Sequence, residues 1–162
     1  MMDRYQYTVR VLWPGVRGLL VSCILMWTGE PRAQVVVIAH TSVSQDEINR
    51  TQLLDFYTGD IQAWSNGERV VVFDLKVKGA VRDTFYKYLG RKPSRMKSIW
   101  MKRMLSGEGD PPEAIPSEDS LLQRVATSPG SIGFVSQAKA NDQVKIITVI
   151  GSPEQDSKSE SP

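Results

Sequence analysis

The residues from Lys76 to Arg82, "KVKGAVR", combine two lysines, a glycine and an arginine where a strand gives way to a helix. A helix start offers unpaired backbone N–H groups and the positive end of the helix dipole, and both attract anions. Lys76, Lys78, Gly79, Ala80, Val81 and Arg82 are therefore the leading candidates for an anion contact. The backbone and the cations would supply it, because positions 79 to 81 carry no hydroxyl. Thr41 and Ser42, beside a possible helix start at Ser44, form a second candidate position. The ordinary alternative is that each turn merely joins a strand to a helix.

Catalytic constellations are sparse. His40 is the single histidine and Cys23 the single cysteine. No H-E-x-x-H, G-x-S-x-G or Walker pattern occurs, and one histidine with scattered carboxylates has no metal-ligand spacing. The chain reads as a non-enzyme without a cofactor. His40, at a strand end, reads as structural.

Charge points away from nucleic acid. Of 162 residues, 41% are apolar and 23% charged, the profile of one ordinary globular domain. The net charge of +2 belongs to residues 1 to 33, and the remainder carries 16 basic and 16 acidic side chains. Lys76 to Arg103 is locally basic, with ten Lys or Arg against Asp83 alone. Such a patch can read as nucleic-acid binding, but its cations fall between apolar stripe positions, which suits a solvated helical face.

Several elements must position the candidate residues. "QVVVIAH", residues 34 to 40, is a continuous apolar run suited to a strand buried on both faces. Ser44 with Glu47 forms a capping box, which predicts a helix from Gln45, ending at Gly59. "VVVFDL", 70 to 75, is a second strand. Val81, Phe85 and Leu89 mark a helix that Gly90 ends. Pro93 and Ser94 open another, with Met96, Trp100 and Met104 as its stripe and Gly107 as its stop. "EGDPPEAIP" reads as a proline-rich loop. Ser117 caps a helix that turns Leu121, Leu122 and Val125 inward. "SPGSIGFV" and "QVKIITVI" supply two more strands. Trp64 reads as a buried aromatic, since large aromatics are highly buried on average, rather than as a stacking platform for a ligand. The alternation predicts an α/β three-layer sandwich with a mixed, mostly parallel sheet over residues 34 to 150.

The two ends read differently. Arg4, Arg10 and Arg17 precede the apolar "GLLVSCILMW", too short to span a membrane but suited to a cleavable export signal over residues 1 to 33. "LVSC" resembles a lipobox, a less favoured reading in which Cys23 carries a lipid. A cut after Ala33 would leave no cysteine. Residues 151 to 162 have nothing apolar to bury and read as a disordered tail.

The segment "TQLLDFYTGDIQAWSNGERVVVFDL", with "RDTFYKYLG" and "SPGSIGFV" in the same order, resembles the phosphate-binding-protein-like domain of bacterial ABC importers. Phe56, Tyr57, Gly59, Trp64, Gly67 and the strand at Val70 carry the resemblance. It implies one lobe of a type II periplasmic binding protein, exported, with phosphate or a similar small oxyanion as ligand. A membrane permease, an envelope protein or a second copy of the chain are the partners it implies. The departures are specific. The family's arginine falls on Leu75, and its Ser-Gly-Thr on Gly79, Ala80 and Val81, so its side-chain ligands are missing. The alternative is a ligand-free module that docks on an envelope or membrane partner.

Overall fold

The computed structural model describes residues 34 to 151. The export signal expected over residues 1 to 33, and the expected tail beyond Gly151, lie outside the described residues. The elements run β1 (Val35–Ala39), α1 (Arg50–Thr58), β2 (Val71–Leu75), α2 (Ala80–Leu89), α3 (Pro93–Ser106), β3 (Glu113–Ile115), α4 (Glu118–Thr127), β4 (Ser131–Ser136) and β5 (Lys145–Ile150). The sheet order is β3-β2-β4-β1-β5.

All five residues of β1 are fully buried, as the unbroken apolar run predicts. The strand lies inside the sheet, and helices cover both faces. The neighbours Gly133 and Phe134 on β4 point to opposite faces. On the first face α4 comes so close that a Cβ on Gly133 would meet Leu121 Cδ2 at 2.6 Å. On the other, Phe85 of α2 stacks on Phe134, with centroids 3.8 Å apart, and Tyr57 of α1 adds a tilted contact at 6.3 Å. Helices α1 and α2 thus share one face and α4 holds the other, a three-layer α/β sandwich.

The sheet is mixed, as expected, but its parallel share is half. Strand β2 pairs parallel with β3 and β4, while β1 pairs antiparallel with β4 and β5. Burial on both faces was the sign taken for parallel pairing. Here it arises from helices on both sides of the sheet, whatever the direction of the strand between them.

Three further expectations shift. Helix α1 starts at Arg50, not Gln45: Asn49 is its cap, accepting from the Gln52 N–H, and the Ser44 capping box does not form. Ile48 donates its N–H to Ile147 O and accepts from Thr148 Oγ1, so its backbone is committed to the edge of β5. The proline-rich loop contains β3, a short edge strand parallel to β2. In α3, Met96 is buried but Met104 is exposed. This helix leans on the end of α1, where Trp100 Nε1 donates to Tyr57 O at 2.9 Å. Its far turns therefore face solvent.

Gly59, Gly90 and Gly107 close α1, α2 and α3 at positive φ. Trp64 is buried, edge-on to Phe56 at 4.9 Å, and donates to Gly130 O at 2.8 Å. It is buried, as expected of a large aromatic, and packs beside α1 where the resemblance places it.

Candidate functional site

Strand β2 delivers the candidate turn. After Leu75, Lys76 N donates to Ile115 O at 2.7 Å, the last backbone tie to β3. Lys76, Val77, Lys78, Gly79 and Ala80 are all exposed. Helix α2 then begins at Ala80 with no side-chain cap. Its first amides stay open, the arrangement that suits an anion. Gly79 itself is extended (φ 161°, ψ 177°), which any residue adopts, and a Cβ there would meet nothing within 4 Å. The reason for glycine at this position is therefore neither strain nor crowding. Val81 packs against the core, and Leu75 is buried, so neither side chain is a ligand.

Arg82 does not reach toward the turn as a free cation. Its Nη2 donates to Asp74 Oδ2 at 2.9 Å, with both side chains mostly buried. Tyr86, one helical turn on, donates its hydroxyl to the same Oδ2 at 2.8 Å. Leu75 N donates to Asp74 Oδ1 at 2.8 Å. The Arg82 guanidinium also lies over the Tyr86 ring, 4.7 Å from its centroid. Burial works against the charge on Arg82. The hydrogen bond and the negative charge of Asp74 outweigh it and hold the guanidinium above its ordinary pKa. Burial, then the charge and hydrogen bond of Asp74, push the Tyr86 phenol far above its ordinary value. Tyr57 is shifted the same way, by burial first, and its hydroxyl donates to Phe73 O at 2.8 Å.

Asp74 and Tyr86 are the residues that sequence reasoning missed. The available signal was an acid inside an apolar strand, followed by Arg82 and Tyr86 four residues apart on one helix face.

The second candidate lies elsewhere. His40 N donates to Ser131 O, and Gly130 N donates to Ser42 Oγ at 3.2 Å. Val71 N, at the start of β2, donates to Gly130 O. Thr41 and Ser42 therefore sit at the start of β2, whereas Lys76 to Arg82 follow its end. Five strand residues at about 3.3 Å each put roughly 16 Å between them. They do not form one site. Ser42 Oγ also lies 2.9 Å from His40 Nδ1, so it ties down the end of β1. His40 Nδ1 also accepts from Ser42 N at 3.0 Å.

The basic stretch is a solvated face. Of its ten cations only Arg82 and Arg103 are partly buried, and each is ion-paired, Arg103 with Asp60 and Glu108. At the α2–α3 corner, Gly90, Arg91, Lys92, Ser94, Arg95 and Ser98 line a shallow open depression of about 390 Å³. Among the described residues, no group of three or more His, Cys, Asp or Glu side chains is placed to hold a metal.

Comparison with solved structures places this geometry in a known frame. One match is a putative phosphate ABC transporter substrate-binding protein with bound phosphate from Clostridium perfringens. It is 19% identical, with a TM-score of 0.60 over 78% of this chain and 51% of that one. The fold is that of one lobe of such a receptor. An ABC-type phosphate transport receptor from Vibrio cholerae matches at 16% identity and a TM-score of 0.55, over 72% of this chain and 46% of that one. A possible phosphate binding protein from Planctomyces limnophilus matches at 15% and 0.53, over 80% and 50%. The chain thus spans about half the length of the solved structures it matches. No protein-family model matches the sequence, and no curated protein does. At these identities the likeness is one of fold.

Proposed function

We propose that this chain is an exported, non-enzymatic binding module that holds a small oxyanion of the phosphate type at the open first turn of α2. The observation that carries the reading is the uncapped start of that helix, exposed at the end of β2 and flanked by Lys76 and Lys78. The fold it shares with phosphate receptors supports the same ligand class. The amides of Ala80, Val81 and Arg82 and the two lysines would make the contacts. Phosphate titration followed by backbone amide NMR tests this. Shifts centred on residues 79 to 82 are expected. Shifts centred on Thr41 and Ser42, or no shift at millimolar phosphate, would overturn it.

A second reading, a protein-docking module, is favoured by two observations. Arg82 is committed to Asp74, and α3 exposes Met101, Met104 and Leu105 among its lysines and arginines. It takes the lead if phosphate and sulfate leave every amide unmoved. Export rests on the arginine-flanked apolar run of residues 18 to 27. N-terminal sequencing of the native protein should find a start near Gln34, and an intact Met1 would refute export.

A further inference from the structure

The Asp74 carboxylate already has the donors that an external oxyanion would need. It accepts from a backbone N–H (Leu75, 2.8 Å), a guanidinium (Arg82 Nη2, 2.9 Å) and a hydroxyl (Tyr86, 2.8 Å). A carboxylate has about four acceptor positions, and these three donors are of the kinds that recognise free carboxylates and phosphates. The cradle has a donor to spare, since Arg82 Nε is buried without a partner. It is mostly shielded from solvent, with the Asp74 and Arg82 side chains 15% and 17% exposed. It lies between the end of β2 and the first two turns of α2, next to the open amides.

We infer that Asp74 is an intramolecular stand-in for an oxyanion, filling a built anion cradle and excluding external anions from it. The inference deepens the reading above and rests on it for the place of the outer ligand. A tethered carboxylate competes at high effective concentration. An entering anion would also have to leave Asp74 mostly buried beside it, charge against charge. External anions are thereby confined to the outer amides and lysines. Asp74 decides how tightly this lobe holds an oxyanion.

Removing the carboxylate should open the cradle. Asp74→Ala leaves Arg82 and Tyr86 without their acceptor and makes room for a small anion. Calorimetric titration with acetate and with phosphate is expected to show binding roughly 10- to 100-fold tighter than in the wild type, the worth of one or two charge-assisted hydrogen bonds. The variant's thermal midpoint should rise more steeply with anion concentration than that of the wild type. The gain should vanish in the Asp74→Ala, Arg82→Ala double variant. Asp74→Asn, which keeps the shape and an acceptor for Leu75 N, should show a smaller gain.

Equal affinities in the wild type and Asp74→Ala would overturn the inference, as would a gain that survives in the double variant. If Asp74→Ala unfolds in anion-free buffer, molar acetate should restore its far-UV circular dichroism. Failure of that rescue would also overturn it, and so would a folded Asp74→Asn variant that binds phosphate no better than the wild type. The two proposals fail separately. A wild type that ignores phosphate beside a variant that binds it sinks the outer-site reading and keeps this one. A wild type that binds with no change in the variants does the reverse.

Discussion

Tyr86 makes the Asp74 interaction measurable through pH. Its phenol is buried and donates to an ionised carboxylate, so the folded state holds this proton more tightly than the unfolded chain does. A group whose pKa is raised by folding contributes stability that is fully present below its unfolded value. That stability is lost as pH rises through the folded value. The unfolded value is near 10 and the folded value far above it, so the loss begins at about pH 10 and continues upward. Tyr86→Phe should cost about 1.5–3 kcal/mol at neutral pH, the worth of a hydrogen bond to a charged group. It should also flatten the fall in stability above about pH 10. Tyr57 and Tyr88 keep part of the slope, because burial shifts both in the same direction. Urea unfolding across the alkaline range reads both effects. Equal slopes in wild type and variant would mean that the Tyr86 hydroxyl is neither buried nor held by Asp74 in solution.

At the scale of elements, helix stops were legible and one start was not. Gly59, Gly90 and Gly107 mark their stops in the sequence because the left-handed conformation after a helix is a local demand that glycine meets. The start of α1 is not a local matter. Ser44 and Glu47 have the spacing of a capping box, yet Ile48 is buried and bonded to β5, whose Thr148 lies one hundred residues further on. That contact outweighs a capping preference worth about 1 kcal/mol, and no window of sequence around Ser44 contains it. Strand β3 was hidden in a similar way. Its three residues follow two prolines, and they become a strand only because β2 offers an edge. Two variants separate the possible starts of α1. Asn49→Ala should destabilise by about 1 kcal/mol, whereas Ser44→Ala, on an exposed residue without a capping bond, should stay within about 0.5 kcal/mol. Chemical denaturation of the two proteins checks the order, and a larger loss at Ser44 would return the helix start to Gln45.

Across the whole molecule, the alternation of strands and helices was enough to indicate three layers, but strand direction was not encoded in hydropathy. The consequence reaches the site. With β1 antiparallel to β4 and β4 parallel to β2, the end of β1 meets the start of β2. Thr41 and Ser42 are carried away from Lys76 to Arg82 by topology alone. The sequence did reveal the turn that opens α2, because lysines, glycine and a helix start are consecutive there. It did not reveal Asp74 as their neighbour's counter-charge, because a strand residue and a helix residue meet only once the chain has folded. The lobe is also open. Lys76, Lys78 and Gly79 face solvent, and nothing in the described fold closes over them. Charges in that position are screened over about 10 Å at 0.1 M salt and about 3 Å at 1 M. Phosphate bound at the turn should therefore weaken steeply as sodium chloride rises through that range. The Lys76→Ala, Lys78→Ala double variant should lose most of the binding and most of its salt dependence, while its unfolding stability stays within about 0.5 kcal/mol of the wild type, as expected for exposed side chains. Titration at several salt concentrations measures all three quantities. Binding that resists salt and survives the double substitution would instead mark an enclosed site, completed by a second lobe from another chain.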